Sequence, residues 1–285
     1  MSLRVAPPAV ATPGALPEIV GLLQRVFPRD RPWGPDLEWQ YLNNPSGPAL
    51  YVNAYAESGA LIAHYALLPM PRPVEAPVAF TGTYLSLNVA ADPTAQVPGL
   101  MVATTRALFR RLQPDGPSLV LGVANENSAA GFVRMLGFRP LGKLSLTVHP
   151  PGSLPRVEAP RALGVTPEHL AWRAARPGVT AYGDVARGAL TVRLRDRGLP
   201  LDAVLSTGLP SDLLQSLALP RPASWAPRLY AAFGGPVRGG IAVPDRLRPS
   251  PLEYIFRVFG EPALTEPVSQ FLLQRRFEFL DFDVV

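Results

Sequence analysis

Leu87-Asn88-Val89, followed by Pro93-Thr94-Ala95-Gln96-Val97-Pro98-Gly99-Leu100-Met101, is the first half of the stretch that decides how this chain is read. The second half is Leu119-Val120-Leu121-Gly122-Val123, running through Asn125-Glu126-Asn127-Ser128 to Leu136-Gly137-Phe138. In the first half an apolar strand enters a glycine-bearing turn and then a helix. The second repeats that plan with a polar turn, in which Ser128 or an asparagine caps the new helix and the other asparagine amide is left for a ligand. Gly137 fits the left-handed position that ends this helix, with Phe138 returning to the core.

Working outward, Leu16, Ile19, Val20, Leu23 and Phe27 recur at helical spacing until Pro28 and Pro32 end the run. A second helix is predicted from Pro35 to Leu42. Leu50 to Ala56 and Leu61 to Leu68 alternate as strands joined by the hairpin loop Glu57-Ser58-Gly59-Ala60. A third strand is predicted from Val78 to Val89, a helix from Leu100 to Leu112, a strand from Ser118 to Val123 and a helix from Ser128 to Leu136. The last strand, Leu141 to His149, sets Leu144, Leu146 and Val148 against Lys143, Ser145 and Thr147. That order predicts an α+β domain with a mixed sheet over residues 1–150. The proline-rich run at 151–164 reads as a linker. Beyond it, over 165–285, Leu170-Ala171-Trp172-Arg173 echoes Leu37-Glu38-Trp39-Gln40. Each precedes a proline (Pro177, Pro45), and strands follow at Tyr182 to Ala186 and Leu190 to Asp196. No counterpart of the glycine turn or of Asn125-Glu126-Asn127-Ser128 occurs there. The expectation is a diverged second copy, and the alternative an unrelated α+β domain.

Hydrophobic residues make up 47% of the 285, enough for a packed core. The net charge of +5 comes almost wholly from arginine, Lys143 being the one lysine, and with 35 prolines this looks like a coding bias. No basic cluster is interleaved with stacking aromatics, and Arg106, Arg110 and Arg111 read as a solvated helix face, so a nucleic-acid partner is not expected. The lack of cysteine excludes disulfides, thiolate metal sites and a cysteine nucleophile. His64, His149 and His169 have no metal-ligand spacing, so no metal is expected. Pro7, Pro8, Pro13 and Pro17 interrupt any signal-peptide core, and no apolar run approaches the roughly 20 residues that span a bilayer. A cytoplasmic protein without a membrane partner is the expectation.

A pyrophosphate needs several donors where side chains would collide, and a helix start with a glycine supplies them. Gln96 to Met101 has that form: Gly99 permits close approach, Pro98 presets the helix start, and the N–H groups from Val97 to Val102, Pro98 excepted, face the anion.

Pro93-x-x-Gln96-x-x-Gly99-x-Met101, with Asn127-Ser128 and Gly137-Phe138, resembles the acyl-CoA signature of the GNAT-type N-acetyltransferase superfamily over about residues 16–149. The whole resembles members with a degenerate second acetyltransferase-like half, a tandem of GNAT-like domains. The resemblance implies acetyl-CoA or another acyl-CoA held between two splayed parallel strands, Tyr84 to Val89 and Leu119 to Val123. Backbone groups of Leu87, Asn88 and Val89 would pair with the pantetheine arm. Gln96, Val97, Pro98, Gly99, Leu100 and Met101 would hold the pyrophosphate, and Asn127 would contact the pantetheine or nucleotide. Met101 stands where many relatives have a small residue. The tyrosine that protonates the departing thiolate in such enzymes is replaced by Val133, and neighbouring Phe132 has no hydroxyl either.

The activity so implied is N-acyl transfer to a small-molecule or peptide amine, with a non-catalytic acyl-CoA- or partner-binding protein as the alternative. For proton chemistry Tyr84, on the strand leading to the thioester, is the first candidate. Glu38 and Glu57 read as solvated charges, His64 as a satisfied sheet residue, and His149 and His169 as exposed linker neighbours. Trp33, Trp39, Trp225, Tyr41 and Tyr51 are candidates for an acceptor pocket. The tail Phe277 to Val285, with Asp281, Asp283 and the terminal carboxylate, reads as an edge strand with solvated acids, or as a segment entering the first domain's cleft to supply a base.

Overall fold

The computed structural model describes residues 3–28, 33–112, 116–194, 201–222, 225–234, 237–247 and 252–282, apart from the side chains of Asn127, Leu194 and Asp245. Pro32, Asp196, Asp283, Val284 and Val285 lie outside the described residues. In chain order the elements are β1 (Arg4–Val5), β2 (Ala9–Val10), α1 (Leu16–Val26), α2 (Trp33–Tyr41), β3 (Leu50–Tyr55), β4 (Leu61–Pro69), β5 (Gly82–Ala91), α3 (Leu100–Leu112), β6 (Ser118–Ala124), α4 (Glu126–Leu136), β7 (Arg139–Lys143) and β8 (Ser145–His149). There follow α5 (Pro167–Ala174), β9 (Thr180–Asp184), β10 (Ala189–Leu194), β11 (Leu201–Ser206), α6 (Ser211–Ser216), β12 (Arg228–Phe233), β13 (Ile241–Ala242), β14 (Glu253–Phe259), α7 (Thr265–Leu273) and β15 (Phe277–Glu278).

The first sheet runs β1-β3-β4-β5-β6-β14-β7, with β2 also on β3. Within it β5 and β6 pair in parallel and the other neighbours are antiparallel. On one face Tyr65, Leu67, Val120 and Ile255 meet Leu108, Phe109, Phe132 and Leu136 of α3 and α4. On the other, Leu68, Leu85, Leu121 and Phe256 meet Ile19, Leu23 and Leu37 of α1 and α2 and continue into Leu163, Leu170 and Phe277 of the later chain. One apolar core therefore joins the two halves.

The second sheet runs β13-β8-β12-β11-β10-β9, with β15 on β12. It repeats the first in construction. In each, two antiparallel neighbours lead to a parallel pair, β5 with β6 or β11 with β12, and an antiparallel strand follows. The strands that follow are exchanged: β14 completes the first sheet and β8 the second. At the junction Trp39 and Trp172 stack at 4.5 Å, and each indole donates to the other's carbonyl, at 2.7 and 2.9 Å. The paired Trp-containing motifs thus meet across an approximate two-fold relation. The fold is a tandem of two mixed α/β units.

Several expectations need correction. The sheets do not divide at residue 150, because the predicted strand Leu141 to His149 breaks at Leu144 into β7 and β8, one in each sheet. Its alternation fails with it: β8 lies between β12 and β13, where Thr147 and His149 are buried while Leu146 and Val148 are half-buried. The stretch 151–164 packs rather than hangs free, since Arg156 bridges to Arg238 and Ala162 and Leu163 are buried. The third strand starts at Gly82, not Val78, and α4 starts at Glu126, not Ser128.

Gly137 closes α4 at φ +68°, as its position predicts, and Arg257 donates to the Leu136 carbonyl beside it. A Cβ there would meet nothing nearer than Arg257 at 3.6 Å, so only the left-handed backbone penalises a side chain. Gly137→Ala is expected to cost about 1 kcal/mol in chemical denaturation. An unchanged midpoint would contradict this.

Candidate functional site: a cleft between parting strands

The ladder between β5 and β6 runs from Gly82 and Ser118 to Ser86 and Gly122 and stops there. Beyond it Leu87–Ala91 keeps pairing with β4 while Val123 and Ala124 pair with β14, so the parallel strands part into a V. A β-bulge causes the parting. Asn88, at φ +51°, and Val89 together face the single residue Tyr65, which bends β5 and re-aims its side chains. Gly122 sits at the apex, where a Cβ would meet Ile255 at 3.2 Å and Ser86 at 3.4 Å.

Because β5 and β6 are parallel, α3 and α4 both begin at the open end of the V. At α4, Asn125 is the cap: its Oδ1 accepts from Ser128 N at 3.0 Å and from Ser128 Oγ at 3.0 Å. Asn127 falls in the first turn. At α3, Gly99 adopts φ +71° with nothing within 4 Å of a would-be Cβ. The turn consumes part of the expected donor set: Val97 N bonds Ala95 O and Leu100 N bonds Val97 O. Gly99, Met101 and Val102 keep N–H groups that no described acceptor takes. Alone among the described α-helices, α3 has no acidic residue in its first turn. The nearby carboxylate, Asp92, holds Thr94 and pairs with Arg25 at 3.2 Å, and its pKa is lowered chiefly by the Thr94 hydrogen bonds. Such a helix start suits an anion.

Polar groups flank the apex on both faces of the sheet. Toward α3 and α4, buried Tyr65 donates to Ser86 Oγ at 3.0 Å, and burial raises the Tyr65 pKa so that the phenol keeps its proton. Toward α1 and α2, the Asn88 amide donates to Gln40 Oε1 at 3.1 Å and to Tyr41 Oη at 3.0 Å. Tyr41 Oη lies 2.8 Å from His64 Nε2, and His64 Nδ1 lies 2.7 Å from Asn53 Oδ1. Glu18 Oε1 accepts from Asn53 at 3.0 Å and from Tyr55 at 2.7 Å. Burial holds His64 at a pKa of about 3, so the ring is neutral.

The structure leaves Tyr84 short of the cleft. It precedes the parting by two rungs, and its ring lies back over Gly82, where the missing side chain makes room. His149 and His169 are buried, not exposed: His149 is sealed by Gly240 and Thr147, and His169 packs on Trp172 at 5.5 Å. The predicted aromatic pocket does not assemble. Trp33 packs on Phe27 at 6.1 Å, Trp39 on Trp172, Tyr51 on His64 at 5.8 Å, and Trp225 stands exposed near Arg193. A groove of about 540 Å³ between α2 and α5, lined by Glu38, Trp39 and Trp172, lies apart from the V. Ser86 and Tyr65 were missed because a serine and a tyrosine on separate strands show no joint pattern in sequence.

The tail enters the V of the second sheet, not the first. There β11 and β12 pair only at Asp202–Arg228 and Ala203–Leu229. In the gap beyond, β15 pairs with Ala232 and Phe233 of β12, and Leu280 N bonds Leu205 O of β11 at 2.8 Å. Its acids are sealed rather than solvated, with Glu278 and Asp281 both 0% exposed. Among the described residues no strand fills the gap of the first V, while the tail fills the second.

Comparison with family models and with curated proteins finds no match. Among solved structures, a GCN5-related N-acetyltransferase from Anabaena variabilis is 11% identical, aligned over 89% of this chain and 72% of its own, with a TM-score of 0.54. A probable N-acyltransferase from Enterococcus faecalis is 11% identical over 90% of this chain and 73% of its own, with a TM-score of 0.50. The chain has the fold of the GNAT acetyltransferases. Among the described residues no helix is long and apolar enough to cross a membrane, and no group of three His, Cys, Asp or Glu is placed to hold a metal.

Proposed function

We propose that the protein is an N-acyltransferase that moves an acyl group, acetyl in the simplest case, from acyl-CoA directly to an amine. The observation that carries this is the bulged β5 parting from β6 in front of a helix start with open N–H groups and no acid. The N–H groups of Gly99, Met101 and Val102 bind the pyrophosphate. Gln96, Val97, Pro98 and Leu100 shape the turn that presents them. The free edge of Leu87, Asn88 and Val89 pairs with the pantetheine arm and polarises the thioester carbonyl, and Asn127 lies at the opposite lip. The acceptor is a small-molecule or peptide amine, and the second half is a diverged copy whose cleft the tail fills.

In the reaction the amine nitrogen bonds the carbonyl carbon, the C–S bond breaks, and sulfur keeps that bond's electrons. Sulfur then gains one proton and nitrogen loses one, giving an amide and a thiol. Ser86 lies at the apex with its oxygen already accepting from Tyr65, which leaves its own proton to point into the cleft. That pair takes the place of the tyrosine replaced by Val133, and Tyr84 has no part in it.

Thiol release from acetyl-CoA with tyramine, putrescine and glycinamide tests the reading, alongside calorimetric CoA binding. Ser86→Ala is expected to lower kcat roughly 10-fold or more with CoA affinity unchanged. Tight CoA binding without turnover of any amine would instead identify a non-catalytic acyl-CoA-binding protein.

A further inference from the structure

The polar chain behind Asn88 has only one consistent direction. Glu18 is exposed and, as a carboxylate, can only accept, so Asn53 turns its Nδ2 to Glu18 and its Oδ1 to His64. His64 must then donate through Nδ1, and since its buried ring is neutral, Nε2 accepts. Tyr41 consequently spends its hydroxyl proton on His64, and its oxygen can only accept from Asn88. Both Asn88 Nδ2 hydrogens are committed, one to Tyr41 and one to Gln40 Oε1. The Asn88 amide cannot flip, and its Oδ1 is held outward. That oxygen takes no hydrogen bond among the described residues and is not sealed from solvent, in a half-buried residue at the bulge where the cleft opens.

Resting on the acyl-transfer reading, we infer that Asn88 Oδ1 is the group that receives and orients the acceptor, and that the acceptor is an amine carrying an N–H. A lone acceptor oxygen, fixed in direction and beside the thioester position, holds a nitrogen by one hydrogen while its lone pair stays free to attack. The placement also separates the reacting partners. Asn88 faces α2 and Ser86 faces α3 and α4, so the nucleophile approaches from one face of the sheet and the leaving group departs toward the other. Gln40, Tyr41, His64, Asn53 and Glu18 are positioning residues that set the direction of that oxygen.

Asn88→Gly is the informative variant, because glycine tolerates the +51° backbone and removes only the side chain. With acetyl-CoA and the three amines above, it is expected to lose about 10-fold in amine kcat/KM, mainly through KM, with CoA affinity by calorimetry within about two-fold of the parent. Tyr41→Phe, which frees the amide to turn without touching Asn88, is expected to raise the amine KM about three-fold or more under the same assay. Parental amine kcat/KM in Asn88→Gly overturns the inference, as does an equal loss of CoA affinity, which would mark a backbone role alone. A parent protein that binds CoA but turns over no amine overturns the acyl-transfer reading and this one with it, a result distinguishable from the first two by the parent's own assay.

Discussion

Arg161→Met is expected to cost about 3–5 kcal/mol of stability, the range for removing one partner of a buried ion pair. Arg161 donates from Nη1 to Glu278 and to Ser206 Oγ at 2.7 Å, and from Nη2 to Asp281 Oδ1 at 2.6 Å. Both acids are fully buried on the tail segment that fills the second cleft. Glu278 keeps Tyr230 at 2.6 Å and Ser206 at 2.5 Å, and Asp281 keeps the Glu278 N–H at 2.9 Å, so the hydrogen bonds survive but the nearest compensating charge does not. Coulomb attraction between groups this close is large where water is excluded, and its loss leaves the two acids to the more distant Arg276, 3.7 Å from Glu278 Oε1, and to Arg173. Chemical denaturation of the single variant and of Arg161→Met combined with Glu278→Gln and Asp281→Asn separates charge from packing. The triple variant is expected to recover at least half the loss, because both acids are then neutral and only Arg276 is left without its Glu278 partner. A single variant within about 1 kcal/mol of the parent would refute a charge-held tail.

What could be read from the sequence was what is local. The hairpin at Leu50–Pro69, α3 and the Gly137 stop follow from periodicity and from turn and cap chemistry within a few residues, while the cap of α4 was narrowed only to Ser128 or an asparagine. The strand exchange is not local: Glu253–Phe259 of β14 pairs with Ser118–Ala124 of β6 across all the elements from α4 to β13, and nothing in Glu253–Phe259 marks which apolar strand it will join. The interlocking of the two sheets across residue 150 was hidden for that reason. The site divided the same way. The left-handed turn at Gly99 was legible because a glycine ahead of a helix marks such a backbone position, whereas Leu87–Val89 stood out only through the resemblance to a known signature. The Asn88 chain draws on α1, α2, β3, β4 and β5, and each member alone is an ordinary polar residue. Burial of His149 and His169 likewise depends on what packs over them, which their neighbours in sequence do not specify.

Stability is expected to fall as the pH drops from about 6.5 toward 4, at a net rate near 1.4 kcal/mol per pH unit below pH 6. His64 and His169 are held at pKa values of about 3, by burial in both and also by Arg173 and Arg161 around His169. In the unfolded chain each takes a proton near 6.5, so between about 6.5 and 3 the unfolded state binds more protons and acid favours it. Asp281 acts the other way: burial, only partly offset by Arg161, raises its pKa to about 6, so from there down to about 3.8 the native state binds the extra proton. Two histidines against one carboxylate leave a net loss of about one group's worth, and His149, also lowered by burial, adds to the same side. Over two pH units this is about 3 kcal/mol out of a typical total of 5–15. His169→Phe isolates one contribution, because both ring nitrogens of His169 lack a described partner while the ring stacks on Trp172, so phenylalanine keeps the packing and removes the titration. The variant is expected to match or exceed parental stability at pH 7 and to flatten the acid slope toward zero, with denaturation midpoints at pH 7, 6, 5 and 4 as the measurement. A parent whose midpoint stays constant from pH 6.5 to 4.5 would show that these histidines reach protons in the native state, and the fixed tautomer behind Asn88 would lose its physical basis.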